Sequence, residues 1–151
     1  MAAPNTFVAK LISWNAAALV LRLMLFAVFF YHGGQKMFGW FGGHGWAAAV
    51  GGFEKAGIPA PLAMAIPITE FVGACCILVG LLARFWAAGH AIIMINAIIL
   101  VHSHDPWNTM NPTISFPLAV LAIALAVFLG GPGRYAFADF EGRLLGLPRS
   151  T

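Results

Sequence analysis

Apolar residues fall into four long runs, separated by short segments rich in Gly, Pro and polar residues. Each run is long enough to cross a hydrocarbon core of about 30 Å as a helix that rises about 1.5 Å per residue. The pattern therefore predicts a single all-α membrane domain over residues 1–151, a polytopic bundle of four transmembrane helices at about residues 15–38, 61–82, 85–101 and 113–129.

The segment between the first two runs, residues 39–61, is rich in glycine and carries Trp40 and Trp46. Tryptophan is enriched where a bilayer meets water, so this segment is expected at the membrane surface. It is predicted to form an interfacial loop or a short helix at Trp46–Lys55, and the tail at residues 134–151 is amphipathic enough to lie along the surface.

Composition supports the membrane assignment: 61% of residues are hydrophobic and 9% are charged. A soluble domain is usually about 45–50% apolar and about 25% charged, so the expected partner of this surface is lipid. The net charge of +3 does not indicate nucleic-acid binding, because the basic residues are scattered at the ends of apolar runs. Cys75 and Cys76 lie inside an apolar run and are interpreted as small buried residues.

Basic residues are distributed unequally between the two predicted membrane faces. Lys and Arg collect on the side that holds both termini and the turn before Phe85, whereas Lys36 and Lys55 lie on the other side. The positive-inside rule then predicts cytoplasmic N- and C-termini in a multi-pass protein of the bacterial inner membrane.

Glu70 lies near the middle of the second run, three residues after Pro67. An ionised carboxylate at this depth is costly unless it is paired, hydrated or protonated, so it is a candidate for proton transfer or ligand contact. The alternative is a structural hydrogen bond to Asn96 or Arg22. Helix rise puts Asn96 near the level of Glu70, whereas Arg22 lies deeper and is expected to snorkel toward the cytoplasm or to pair structurally.

The remaining polar residues sort into two groups by depth. Arg22 and His90 share a level in the inner third, and His90 is interpreted as structural. The outer group predicts a polar pocket that opens outward between spans one, two and three. Its residues are His32, Gln35, Lys36, Glu70, Asn96, His102, His104 and Asp105, with Trp40 and Trp107 at the rim.

Other site chemistries are less well supported. His102, His104 and Asp105 have donor atoms that suit a metal, an interfacial hydrogen bond or a quinone, but no cysteine or second H-x-H supports a metal. No metal site is therefore predicted, and nothing in the pattern indicates haem, a flavin or a nucleotide. Ala65, Thr69 and Gly73 form a small-xxx-small stripe that would let another helix approach.

Several motifs occur in an order that resembles the DoxX family of small four-helix bacterial membrane proteins. These are an early Arg in span one, F-x-x-x-G-x-x-K at 29–36, FEKAGIPAP before an intramembrane Glu, L-x-x-G-L-x-x-R and GPG at 131–133. The resemblance covers about residues 18–137. The positions that match are Arg22, Gly33 (or Gly34), Lys36, Gly57, Pro59, Glu70, Gly80 and Arg84.

The resemblance implies a function without assigning a catalytic residue. The family is named after a subunit linked to thiosulfate:quinone oxidoreductase, so we expect an integral membrane subunit of a quinone-linked oxidoreductase complex. Glu70 would then exchange a proton with a quinone, and a partner subunit would supply the electrons. The alternatives are a non-catalytic anchor or assembly subunit, within a larger complex or a homo-oligomer, and a small-solute permease.

Overall fold

The computed structural model describes residues 13–101, 112–137 and 146. All regular structure within these residues is helical, as the sequence predicts. A 3₁₀ turn at Trp40–Gly42 separates the first two helices. The described residues form five α-helices: α1 Trp14–Phe38, α2 Gly45–Lys55, α3 Ala60–Val79, α4 Ala83–Val101 and α5 Pro112–Gly130.

The helix ends follow from local sequence. Ser13 caps α1 by accepting a hydrogen bond from the amide of Ala16 at 3.4 Å. Pro59 precedes the first turn of α3, and Gly80 ends that helix with a φ of 80°. This left-handed glycine stops the helix at Val79, three residues before the end that hydropathy predicts.

Within the described residues, three helices are long and apolar enough to cross a membrane: α1, α3 and α4. The fourth predicted span corresponds to α5, an apolar helix whose described side chains begin at Ile114. Large apolar side chains such as Phe85 and Leu129 are 63% and 73% exposed. Apolar surface of this kind suits lipid as the solvent, so the chain is a helical membrane protein.

The core lies where α1 packs against α3 and α4 packs against α5, with α3 and α4 also in contact. Leu25, Phe29 and Ile77 are its largest apolar side chains, each with 1% exposure or less. Gly33 sets the spacing of α1 and α3, because a Cβ there would lie 2.6 Å from the amide nitrogen of Phe71. The two helices therefore approach backbone to backbone.

The predicted small-residue stripe lies mostly inside the bundle. A Cβ on Gly73 would lie 2.9 Å from the ring of Trp86, and Thr69 packs against Gly89 of α4. Ala65 is exposed. The stripe thus brings α3 close to α4 of the same chain, which is the close approach of another helix that the sequence predicts.

Arg22 holds together the end of the bundle at which α1 begins and α3 ends, which we call the capped end. Its guanidinium is 1% exposed and donates to the carbonyls of Ile77 at 2.7 Å, Pro132 at 3.0 Å and Leu78. These carbonyls lie at the end of α3 and just after α5, where helices leave acceptors unsatisfied. Arg22 is therefore a structural cap, which agrees with a structural role as one of the two expectations for it, whereas the alternative that it snorkels to the surface is wrong.

Two further contacts close the capped end. Arg84 donates from Nη1 to the carbonyls of Phe128 and Leu129, at 2.6 and 2.8 Å, and so satisfies the end of α5. The Asn15 side chain accepts from the amide of Arg134 at 2.9 Å. The segment that follows α5 is thereby fixed against the start of α1.

Candidate functional site

A cleft of about 510 Å³ opens between the end of α1 and the short helix α2. We call this part of the molecule the cleft end. The predicted outward pocket was placed between spans one, two and three, whereas this cleft is walled by α1, α2 and the loop between them. Its lining residues are Gln35, Lys36, Gly42, Gly43, His44, Gly45, Ala48, Ala49, Gly52 and Phe53.

Glycines shape the loop that forms one wall. Gly39, which ends α1, has a φ of 72°, and Gly42 and Gly45 both have a φ of 77°. Glycine enters this left-handed region without a Cβ clash, so the chain turns sharply twice within seven residues. Gly43 packs directly on the backbone of Gln35, where a side chain would overlap.

An aromatic cluster anchors the turn to the bundle. The ring of Trp40 lies 4.7 Å from that of Phe38 and 5.7 Å from that of Phe71, measured between centroids. Phe71 also lies 5.0 Å from Phe30. Aromatic pairs at such separations stabilise their arrangement beyond area burial, so the cluster fixes the turn over α3 next to Glu70.

Lys36 joins the cleft to the membrane interior. Its Nζ lies 2.6 Å from Oε1 and 2.5 Å from Oε2 of Glu70, so the two residues form a two-point ion pair between α1 and α3. The Glu70 side chain is 3% exposed, whereas that of Lys36 is 28% exposed and lines the cleft. The Lys36 side chain thus connects the open cleft to the buried Glu70 carboxylate.

Asn96 does not take part in this pair. Its side-chain amide donates to the carbonyl of Ile92 on its own helix at 2.8 Å, and the residue is exposed. The expected hydrogen bond between Asn96 and Glu70 is therefore wrong, as is that between Arg22 and Glu70. Helix rise also misplaced the level of Asn96, because His90, six residues earlier on α4, already lies beside Thr69.

His90 lies close to Glu70 along α3, and not at the level of Arg22 as helix rise suggested. Its Nε2 is 3.0 Å from the carbonyl oxygen of Thr69, and its ring stacks on Phe29 with a centroid distance of 3.7 Å. The residue is fully buried. These contacts fit the structural role that the sequence predicted for it.

His32 is half-buried on α1 and faces α5, with its ring 6.4 Å from that of Phe116. It does not line the cleft. The predicted residues His102, His104, Asp105 and Trp107 lie outside the described residues. Within the described ranges, no group of three His, Cys, Asp or Glu side chains could hold a metal ion.

The sequence also carries a pattern that predicts the cleft wall, but this pattern consists of small residues and not of polar ones. Gly45, Ala48, Ala49 and Gly52 recur at three- and four-residue spacing, so they share one face of α2. A helix face without bulky side chains leaves a gap when it lies over another helix. His44, at the start of α2, completes this wall.

Comparison with known proteins identifies a family. A family model described as DoxX matches residues 17–103, more than half of the chain and nearly all of α1 to α4. Neither a curated protein nor a solved structure matches the chain.

Proposed function

The chain belongs to the DoxX family of membrane proteins, and we propose that its cleft binds the head group of a membrane quinone. In this proposal the protein is an integral membrane subunit of a quinone-linked oxidoreductase complex. The observation that carries the proposal is the position of Lys36, which lines the cleft and is bonded to the buried Glu70.

The polar groups at the cleft suit a ligand with carbonyl oxygens. Lys36 presents N–H donors, and the Gln35 amide and His44 ring add polar atoms to the same wall. Small and apolar residues such as Ala48, Ala49 and Phe53 form much of the remaining lining. A few polar groups in an otherwise apolar pocket orient a flat, apolar ring and its carbonyls.

The ion pair also suits proton exchange. Reduction of a quinone to a quinol takes up two electrons and two protons, and the electrons come here from a redox partner subunit. Lys36 can donate a proton to a ligand oxygen and regain one from water in the open cleft, because the Glu70 carboxylate at 2.5–2.6 Å favours its ammonium form. Both protons of the quinol then come from water by way of Lys36, which touches the ligand, and Glu70 supplies the charge that keeps Lys36 protonated.

The membrane location and orientation complete the proposal. The capped end carries Arg22, Arg84 and Arg134, whereas the cleft end carries Lys36 and Lys55. Positive charge is usually retained on the cytoplasmic side, so the capped end faces the cytoplasm of a bacterial inner membrane and the cleft faces outward.

The alternative functions receive less support from the geometry. An anchor subunit would dock through the small-residue stripe and the Gly/Trp-rich loop, but Thr69 and Gly73 of the stripe pack against α4. A permease needs a path between its helices, but Phe29 and His90 stack in the middle of the described bundle. Neither arrangement explains why a lysine joins an open cleft to a buried carboxylate.

Ligand binding by the purified protein tests the proposal. The protein in lipid nanodiscs is titrated with decylubiquinone, and binding is followed by quenching of tryptophan fluorescence. We expect saturable binding that weakens at least about tenfold in Lys36→Met, which corresponds to a loss of about 1.4 kcal/mol. The matched control is Lys55→Met, the exposed lysine that ends α2, which should bind like the wild type. Equal affinity in both variants would contradict the proposal.

A further inference from the structure

Among the described residues, the Lys36 ammonium has partners for two of its three N–H groups, which leaves one donor to spare. An ammonium carries three N–H groups, and two of them are directed to Oε1 and Oε2 of Glu70. The side chain is 28% exposed, on the cleft side. A neutral carbonyl oxygen in the cleft can therefore accept the third N–H while the ion pair stays intact.

A negatively charged ligand meets a different situation. It would place a second anion on a cation that already neutralises Glu70. The Glu70 side chain is 3% exposed, so water cannot compensate the excess negative charge. Like charges that share one site disfavour each other's ionised form, and the buried carboxylate is the one that can take up a proton.

The surroundings of Glu70 offer little other compensation. From α4, His90 directs Nε2 to the carbonyl of the preceding residue, Thr69. From α2, the titratable groups are His44 at the cleft rim and Glu54 and Lys55, which are exposed at the far end of the helix. On α1, His32 lies near Lys36 and bonds to Gln35, with its ring 6.4 Å from Phe116 of α5. Helix α5 has no titratable side chain from Ile114 to Gly130. Among the described residues, Lys36 is the cation that touches Glu70.

We propose that the cleft takes an acidic ligand together with one proton, which protonates Glu70, so that the site binds weak acids such as hydroxyquinones or ring carboxylates in a proton-coupled manner. This inference rests on the proposed quinone site and extends its ligand class. The ligand anion, the ionised Glu70 and one proton combine into a complex in which Lys36 is bonded to the ligand and Glu70 is neutral. No electron is transferred in this step.

Two matched quinones, one neutral and one acidic, distinguish binding with proton uptake from binding without it. The neutral probe is 2,3-dimethyl-1,4-naphthoquinone, and the acidic probe is 2-hydroxy-3-methyl-1,4-naphthoquinone, in which one methyl is replaced by an ionisable hydroxyl of similar size. Both are fully substituted and so resist addition of the thiols of Cys75 and Cys76. Binding to the protein in nanodiscs is measured by calorimetry in two buffers of different ionisation enthalpy, which gives the number of protons taken up.

We expect uptake of about one proton with the acidic probe and about none with the neutral probe. The Kd of the acidic probe should fall about tenfold for each pH unit of acidification while the probe and the free Glu70 are both ionised. In Glu70→Gln the acidic probe should bind without proton uptake and with little pH dependence. If this variant does not fold, the visible absorption of the bound hydroxynaphthoquinone decides the matter in the wild type: the spectrum of the anion places the proton on Glu70, and that of the neutral acid contradicts the proposal.

The outcomes distinguish this inference from the function on which it rests. Binding of both probes without proton uptake overturns proton coupling and leaves the quinone site standing. Proton-coupled binding of the acidic probe, with no binding of the neutral one, supports the coupling and contradicts a site for neutral quinones. If neither probe binds, both proposals fail.

Discussion

The two ends of the bundle are each held by a basic side chain of α1, and these two side chains have different roles. At each end a basic side chain of α1 reaches α3: Arg22 at the capped end and Lys36 at the cleft end. The two residues are fourteen positions apart, nearly four helical turns, and so lie on one face of α1 about 21 Å apart. Arg22 meets only backbone carbonyls among its described hydrogen bonds, whereas Lys36 meets a carboxylate.

The difference follows from the chemistry of the two cations. The planar guanidinium of Arg22 presents several donors in a fixed fork, and the carbonyls of two helix ends use them. Lys36 is a compact charge on a flexible stem, with a donor left for the cleft. Arg22 therefore stabilises the closed, capped end of the bundle, whereas Lys36 at the open, cleft end can also bond to a ligand.

The largest expected effect is on stability, from Arg22→Met. It removes the hydrogen bonds to Ile77, Leu78 and Pro132 and leaves buried carbonyls unsatisfied, which should destabilise the fold by about 3 kcal/mol or more. Unfolding in mixed detergent and SDS measures the change. Arg134→Met is the control, since that side chain is exposed at the same end and should change stability by less than about 0.5 kcal/mol. A similar loss in both variants would mean that Arg22 is not a cap.

The next effect concerns the ion pair and is best measured as a double-mutant cycle. Lys36→Met leaves the buried Glu70 without its counter-charge and should destabilise the fold by about 2 kcal/mol, part of the penalty being relieved when Glu70 takes up a proton. Adding Glu70→Gln should restore most of this loss. The same unfolding assay gives the coupling energy, and strictly additive effects would show that the two side chains do not interact.

A smaller effect is expected where α1 and α3 approach each other. In Gly33→Ala the new Cβ would lie 2.6 Å from the amide nitrogen of Phe71, so the helices must separate, at a cost of about 1–2 kcal/mol. The separation should also weaken the neighbouring ion pair. Gly51→Ala, on α2 with open space around it, serves as the control and should be neutral or slightly stabilising. Equal stability of the two variants would contradict the close approach.

The smallest effect is expected for Asn96→Leu. The side chain is exposed and bonded only to its own helix in the structure, so quinone affinity should change less than about twofold and stability by less than about 0.5 kcal/mol. Decylubiquinone titration and SDS unfolding check both values. A loss of affinity as large as that in Lys36→Met would show that Asn96 belongs to the quinone site.

The fold was more predictable from sequence than the site. The helix starts at Trp14, Ala60 and Pro112 lie within one residue of the predicted starts, because lengths of apolar sequence and flanking Pro and Ser determine them. The end of α3 was predicted too late, because hydropathy does not detect the left-handed turn at Gly80 between apolar residues.

The partner of Glu70 was missed because depth was estimated from Cα positions. Helix side chains lean toward the N-terminus of their own helix, so Lys36, near the end of α1, points back into the bundle and toward Glu70. The same lean, toward the start of α1, brings Arg22 to the capped end. The cleft itself depends on how α2 lies over α1, which is set by tertiary packing and is not encoded in the periodicity of either helix.

The ionisation state of Glu70 is the most direct test of the account. Infrared difference spectra of the wild type against Glu70→Gln isolate the bands of this side chain. In the wild type we expect the stretching bands of an ionised carboxylate. When the same comparison is made in the Lys36→Met variant, we expect the carbonyl band of a protonated acid in their place. A protonated Glu70 in the wild type, or a carboxylate band that does not respond to the loss of Lys36, would contradict a cleft built on this ion pair.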